Sequence, residues 1–149
     1  MADGIFFEKQ NAIFDKLKKD LEKYSEDLVK EIDAEIFASA EDMATRAKQL
    51  APAGPNGRLR ASINVEPDPN AKLAYDLVAR VRYAAYVEFG TGGFAQEYTA
   101  TIDPEWEEYA ASFKTNRPGG HTPAQPFFYP AVREIFPQMV KRIENIIKG

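Results

Sequence analysis

Two short phrases decide how this chain folds: YAAYVEFGTG at residues 83–92 and TPAQPFFYPA at residues 122–131. Each combines aromatic residues with glycine or proline in a stretch that no single helix or strand can accommodate. Such stretches are typical of places where the backbone geometry is fixed and aromatic side chains are anchored. Neither phrase contains a nucleophile beside its base or a set of metal ligands. The phrases therefore indicate a protein whose role is assembly rather than catalysis.

The composition indicates a single globular domain. The chain has 149 residues, of which 44% are hydrophobic and 28% are charged, enough apolar material for a buried core. The net charge of −4 argues against a dedicated nucleic-acid binder, which usually carries a basic surface. It remains compatible with a negatively charged lumen past which DNA slides.

The chain has no cysteine, which excludes disulfides, thiolate metal sites and cysteine catalysis. The first residues have no basic region and only three consecutive apolar residues, so we predict no signal peptide. The apolar runs are also far too short for a membrane span. We therefore expect synthesis and folding in a reducing cytoplasm, without a membrane partner.

An amphipathic helix is predicted from Phe6 to Leu50, since no glycine or proline interrupts the chain there. Apolar residues recur at steps of three or four and form one stripe: Ile13, Leu17, Leu21, Tyr24, Leu28, Ile32, Ile36, Ala40, Met43, Ala47 and Leu50. A single helix of this length would extend roughly 65 Å, so part of it should project or lie against a neighbouring subunit. A break near Ser25 or Ser39, giving two helices, is the alternative.

A β-hairpin is predicted after the helix. Two prolines and two glycines at residues 51–57 mark a loop. Residues 58–66 and 74–82 then alternate between apolar and polar side chains, as strands do, and Pro67 to Asn70 form a turn between them. We therefore expect two antiparallel strands.

The second half of the chain is predicted to be mostly helical. Tyr83 to Phe89 have the spacing of a short helix that the following glycines end. A short strand at residues 98–102 and a helix at residues 103–114 follow, the latter because Asp103 and a proline make a good helix start. A last helix is predicted at residues 128–148, kinked or broken at Pro137.

The order of these blocks resembles one protein family. The features are a long N-terminal helix, GRLRASI at residues 57–63, YAAYVEFGT at residues 83–91 and QPFFYPA at residues 125–131. In this order they resemble the tail-component, or tail-completion (neck), proteins of long-tailed double-stranded DNA bacteriophages. The resemblance spans roughly residues 51–132 in three blocks.

The resemblance implies an α+β fold in which a long N-terminal helix packs on a small antiparallel β-sheet. It also implies a structural role in the virion at the junction of head and tail, usually as a ring. The partners would be portal or head–tail connector proteins and tail terminator or tail tube proteins. The segment between Gly90 and Pro123 is longer than the family leads us to expect, and we predict that its helix decorates the ring or grips a neighbouring component.

We assign residues 1–149 to a single domain of this type. It comprises the long helix at residues 1–50, the sheet and glycine-rich turn at 51–102, the inserted helix and loop at 103–120, and the proline-rich segment with the C-terminal helix at 121–149. No enzymatic activity, cofactor or metal ion is expected. Assembly into the virion neck would take place in the host bacterial cytoplasm.

The two phrases supply most of the candidate residues for structure and interfaces. Glu88 could pair with Arg58, Arg60 or Arg82, or could be an exposed acid at a helix end. Gly90 most simply serves a turn that needs positive φ rather than a phosphate cradle. The aromatic residues could stack on bases, but core packing is the better interpretation without a basic groove. The full set of candidates from the phrases is Tyr83, Tyr86, Glu88, Phe89, Gly90, Gln125, Pro126, Phe127 and Pro130.

Other candidates lie outside the phrases. Trp106 could anchor an interface or pack in the core. The acidic residues around it could suggest glycoside hydrolysis, although a first helical turn favours acids for electrostatic reasons. These acidic residues are Asp103, Glu105, Glu107 and Glu108. His121, the only histidine, is expected to be solvated.

Two arginine pairs are predicted on the hairpin strands, each pair projecting from one strand face. They are Arg58 with Arg60 and Arg80 with Arg82. They could contact acidic patches of a neighbour or DNA in a channel, or face solvent. The alternatives to a structural protein are therefore a small hydrolase that uses Asp103, Glu105 or Glu108 and a DNA-binding module that uses these arginines.

Overall fold

The long N-terminal helix begins at a serine cap. The computed structural model describes residues 5–7, 19–20, 23–54, 57–90 and 123–149. Helix α1 spans Glu26–Leu50. Ser25 has an extended backbone (φ −66°, ψ 158°), and its side chain accepts a hydrogen bond of 3.2 Å from the backbone N–H of Leu28. This contact satisfies one of the first N–H groups of the helix, which have no partner inside it.

The prediction of one helix from Phe6 to Leu50 is therefore wrong, and the alternative break near Ser25 is confirmed. Strand β1 occupies Ile5–Phe7, so Phe6, at the start of the predicted helix, lies in a strand. Helix α1 has 25 residues, a length of about 37 Å rather than roughly 65 Å. The predicted break at Ser39 is absent, because Ser39 lies inside α1 and its hydroxyl donates to Glu35 Oε1 at 3.1 Å.

A turn of helix replaces the first part of the predicted strand. Helix α2 spans Arg58–Ala61 and follows Gly57, whose φ of 61° lies in the left-handed region. The hydroxyl of Ser62 donates to the carbonyl of Leu59 at 2.8 Å, which holds the turn closed. Leu59 is thereby buried in the core. Arg58 and Arg60 consequently do not share a strand face, and that prediction is wrong.

The predicted hairpin forms the larger part of a three-stranded antiparallel sheet. Strand β2 spans Ile63–Pro67 and strand β3 spans Tyr75–Ala79, paired from Ile63 opposite Ala79 to Pro67 opposite Tyr75. Strand β1 pairs with the other edge of β3, which gives the order β1-β3-β2. Because β3 ends at Ala79, Arg80 and Arg82 follow the strand, so their predicted place on one strand face is also wrong.

Helix α3 spans Ala84–Phe89 and helix α4 spans Phe128–Lys148, as predicted. Helix α4 continues through Pro137, so the predicted break is wrong, whereas the alternative, a kink at Pro137, stays a prediction. Pro137 and Arg133, four residues earlier, are both exposed. The carbonyl group that loses its helical partner therefore lies on the solvent side of the helix, where the loss costs less.

Helices α1 and α4 pack against each other in opposite directions. Arg46 Nε donates to Glu134 Oε2 at 2.8 Å, whereas Arg142 Nη1 donates to Glu35 Oε1 at 3.4 Å, so the contact order reverses along the chain. One buried cluster lies between the helices: Ile32, Ile36, Met139 and Ile143. A larger cluster joins the sheet, α1, α3 and the start of α4. The chain thus has the predicted α+β fold.

Several predictions lie outside the described residues. They are the strand at residues 98–102, the helix at residues 103–114 with Trp106 and its acidic neighbours, and His121.

Candidate functional site

Helix α3 and Gly90 form the first half of a junction between the two sequence phrases. Ala84, Ala85, Glu88 and Phe89 are buried on one side of α3. The backbone N–H of Gly90 donates to the carbonyl of Tyr86 at 2.9 Å and ends the helix. Gly90 adopts φ 73° and ψ −168°, a combination accessible essentially only to glycine. The predicted turn with positive φ is therefore confirmed.

Glu88 links this half to the start of α4. Its side chain is fully buried, and Oε1 accepts hydrogen bonds from the backbone N–H groups of Phe127 at 2.9 Å and Phe128 at 2.6 Å. These groups lie at the N-terminus of α4, where Phe127 offers no side-chain cap. Glu88 thus caps α4 from a distant position in the sequence, and the positive end of the helix dipole favours its carboxyl group there.

A third hydrogen bond holds the two phrases side by side. The backbone N–H of Gln125 donates to the carbonyl of Val87 at 2.8 Å. The rings of Phe127 and Phe128 lie 6.2 Å apart in an edge-to-face arrangement, and both rings, like that of Phe89, are fully buried. The junction therefore combines a buried polar contact with a well-packed aromatic core.

The structure resolves several alternatives for the candidate residues. Core packing is confirmed for Phe89 and Phe127, and the exposed position considered for Glu88 is wrong. The pairing of Glu88 with an arginine stays a prediction. Pro126 and Pro130 are half-buried, and Pro130 lies in the first turn of α4, where a missing N–H costs no hydrogen bond.

Tyr83 differs from the other aromatic residues of the phrases, because 41% of its surface is exposed. It lines a groove of about 330 Å³ beside α3. The groove brings together the loop after α1, helix α2 and helix α3, and its lining includes Pro52, Ala53, Arg58, Leu59, Tyr83 and Val87. Two residues singled out in the sequence, Arg58 and Tyr83, therefore meet on one surface.

The four arginines considered for DNA binding have different surroundings. Arg60 Nε donates to the carbonyl of Ala51 at 3.0 Å, at the end of α1. Arg80 Nε donates to Glu66 Oε2 at 2.8 Å. This hydrogen bond lowers the pKa of Glu66 from its ordinary value of 4.5; burial acts in the opposite direction, and the charge of Arg80 adds to the lowering. Because Glu66 neutralises Arg80, this arginine does not contribute an unpaired positive charge to a strand face.

A second exposed aromatic residue lies on α1. Phe37 is 42% exposed, and its ring centre lies 5.3 Å from that of Tyr75. The Tyr75 hydroxyl donates to the carboxylate of Asp33 at 3.0 Å. Burial, followed by this hydrogen bond and the negative charge of Asp33, raises the pKa of Tyr75. The exposure of Phe37 has a weak signal in the sequence: Phe37 falls outside the apolar stripe of the helix, so it is a large apolar residue on the polar face.

The capping role of Glu88 was also missed by the sequence reasoning. Two signals could have pointed to it. Helix α4 has no serine, threonine, aspartate or asparagine just before its start, and Glu88 lies between apolar residues directly before a glycine. The first signal indicates that the N-terminus of α4 needs a capping group from elsewhere in the chain. The second indicates that Glu88 is buried.

Two further properties concern the described part of the chain. No group of three or more histidine, aspartate or glutamate side chains in it could hold a metal ion. None of its helices is both long enough and apolar enough to cross a lipid bilayer.

The fold and the junction define an α+β protein in which the start of α4 is tied to α3 and an exposed groove lies beside α2. Comparison with protein families matches residues 15–90 to the HK97-gp10-like family, "Bacteriophage HK97-gp10, putative tail-component". The chain belongs to this family of bacteriophage tail components. The match includes α1, α2, the hairpin and α3 and ends at Gly90, so the second phrase lies beyond it. Comparisons with curated proteins and with solved structures give no match.

Proposed function

We propose that copies of this chain form a ring at the head–tail junction, or neck, of a tailed phage or phage-like particle. The ring would link the portal-side connector to the tail tube. The observation that carries the proposal is the family match over residues 15–90, since a tail component is a structural part of the virion. The neighbours would be portal or connector proteins on one side and tail terminator or tail tube proteins on the other.

The junction supports this proposal because a ring subunit needs a fixed shape. Glu88 and the Val87 carbonyl hold residues 125–128 against α3, so the start of α4 has a defined position relative to the sheet. A ring closes only when every subunit repeats the same rotation to its neighbour. A subunit whose helices and sheet are locked together satisfies that condition.

The charge of the chain supports passage of DNA rather than its retention. The net charge is −4, and Glu66 neutralises one of the arginines considered for DNA contact. A lumen with this character would let double-stranded DNA pass without specific binding. Assembly would occur in the host bacterial cytoplasm.

Deletion of the gene from the phage that encodes this chain tests the proposal. We expect filled heads and separate tails, seen by electron microscopy, because neither can be joined without the neck. Supply of the wild-type chain from a plasmid should restore joined particles, as should the Glu134→Ala variant, whose side chain is half exposed and lies away from the junction. Normal joined particles in the deletion strain would contradict the proposal.

A second set of variants separates this function from hydrolysis. The triple substitution of Asp103, Glu105 and Glu108 by alanine would abolish a reaction that uses these carboxylates. If particles were joined normally and only a hydrolytic activity were lost, the chain would be an enzyme rather than a neck component.

A further inference from the structure

The groove beside α2 has an apolar lining with a positively charged edge. Ala53, Leu59 and Val87 supply apolar surface, and the half-exposed ring of Tyr83 adds an aromatic side. Arg58 is exposed, and it is the only charged residue among the described residues that line the groove. Such a surface favours a ligand that is apolar in the middle and negatively charged around it.

A second arginine lies next to the groove. Arg60 Nε is held by the carbonyl of Ala51, the residue directly before Pro52 in the groove lining. Arg60 itself is exposed. At the groove itself, the guanidinium group of Arg58 favours a carboxylate partner, because arginine binds carboxylates in a bidentate geometry.

The size of the groove limits what can enter it. Its volume of about 330 Å³ is at the lower end of the range for ligand pockets. One large aromatic side chain with its flanking backbone would fill it, whereas a folded surface would not enter.

The chain itself contains a segment with the matching chemistry. Residues 103–109 read DPEWEEY, with Trp106 at the centre and four carboxylates around it. Tryptophan is one of the residues enriched at binding hot spots. The groove and this segment therefore have complementary charge, and the groove has room for one large side chain.

We propose that the groove of one copy binds the Trp106 segment of a neighbouring copy, and that this contact joins adjacent subunits of the ring. The inference rests on the proposed function, because it takes the occupant from a second copy. The two partners are different parts of the chain, so the contact is heterologous, the type that generates rings. Twelve residues separate Gly90 from Asp103, and a stretch of this length can span up to about 45 Å when extended.

A peptide titration tests the contact without requiring a ring. The probe is a fluorescent peptide of residues 101–111, added to the Trp106→Ala protein so that the chain's own segment competes less. We expect saturable binding that weakens at least tenfold in Arg58→Glu and weakens with added salt. Lys141→Glu, which reverses an exposed charge on α4, is the matched control and should leave the affinity unchanged.

Absence of saturable binding would overturn the inference. Equal affinity of the peptide for the Arg58→Glu and Lys141→Glu proteins would do so as well, since the groove would then not be the binding site. A peptide in which alanine replaces Trp106 should bind at least tenfold more weakly. Equal binding would show that Trp106 is not the side chain that occupies the groove, and would overturn the inference.

Mixing two variants shows whether the contact joins separate copies. Arg58→Glu impairs the groove and keeps the segment, whereas Trp106→Ala impairs the segment and keeps the groove. Each variant alone should lose the higher mass of the wild type, measured by light scattering after size exclusion. Their mixture should form a heterodimer, because one groove and one segment remain intact between the two.

The outcomes also separate this inference from the proposed function. If both variants kept the ring mass of the wild type, the neck proposal would stand and the groove contact would be wrong. If the mixture gave no heterodimer although the peptide bound, the segment would occupy the groove of its own chain, and the intersubunit contact would be overturned.

Discussion

The junction at α3 and the distal contact between α1 and α4 hold the molecule together in different ways. At the junction, a fully buried carboxyl group caps α4, and a glycine adopts a backbone that other residues avoid. In the distal contact, aliphatic side chains such as Ile32 and Ile143 meet, and a partly exposed ion pair links the two helices there. The first region requires particular residues, whereas the second requires mainly apolar volume. The two unusual sequence phrases therefore coincide with the junction, the region whose geometry depends on particular residues.

The largest effect is expected from Phe127→Ala at the junction. Removal of a fully buried ring should lower the free energy of unfolding by about 3–5 kcal/mol. The matched control is Phe37→Ala on α1, where the ring is 42% exposed and its loss should cost about 1 kcal/mol. Urea denaturation monitored by circular dichroism measures both. Similar losses for the two variants would contradict the distinction between the regions.

Glu88→Ala should have the next largest effect, a loss of about 3 kcal/mol, because two backbone N–H groups of α4 would be left buried without their acceptor. Glu88→Gln keeps an acceptor oxygen of the same shape and should retain a good part of the stability. Glu134→Ala removes an acid whose ion pair with Arg46 is half exposed, and should cost less than about 1 kcal/mol. If Glu88→Ala were as mild as Glu134→Ala, Glu88 would not be the cap that holds α4.

Gly90→Val tests the backbone at the end of α3. We expect a loss of about 2–3 kcal/mol in the free energy of unfolding, since φ 73° with ψ −168° is strained for any residue with a side chain. Gly54→Val is the control, because Gly54 has φ 61° but open space around it, and its cost should be about 1 kcal/mol. Equal thermal denaturation midpoints for the two variants would show that Gly90 is not specifically required.

The smallest effect concerns the exposed pair of Glu66 and Arg80. Since Arg80 lowers the pKa of Glu66, the pair adds stability above the ordinary pKa of 4.5, and this contribution is lost as the pH falls through the lower folded value. The difference in unfolding free energy between wild type and Glu66→Gln should therefore be small at pH 7 and disappear in strong acid. It should also shrink in high salt, because the pair is exposed. A difference that grew on acidification would have the wrong sign.

Local patterns predicted the elements whose signals agree with one another. The period of the apolar residues placed α4 at residues 128–148, and the glycine after Phe89 correctly ended α3. The hairpin followed from alternation on both sides of a proline-rich turn. In each case, periodicity and turn residues point to the same boundary.

Two errors arose where one pattern fits two structures. Leu59 and Ile63 are four residues apart and also alternate with polar residues, so their spacing fits both a helix turn and a strand. The apolar stripe likewise runs across Ser25, although a serine followed by two acids is a strong helix start. In both places a local capping or turn preference prevailed over the longer periodicity.

The sequence predicted which residues belong to the junction, but it did not predict the contacts between them. The sequence singled out Glu88, Gly90 and Phe127, and the structure brings them together. The capping bond spans 39 positions, and no local rule connects an acid to backbone N–H groups so far along the chain. The groove shared by Arg58 and Tyr83 likewise depends on the tertiary fold.

The mass of the purified chain in solution, measured by light scattering coupled to size exclusion over a range of concentrations, tests the central claim most directly. We expect a single closed species of several copies whose mass stops rising once the ring is complete. A monomeric mass at every concentration would contradict it, as would a mass that keeps rising with concentration, since an open polymer does not close.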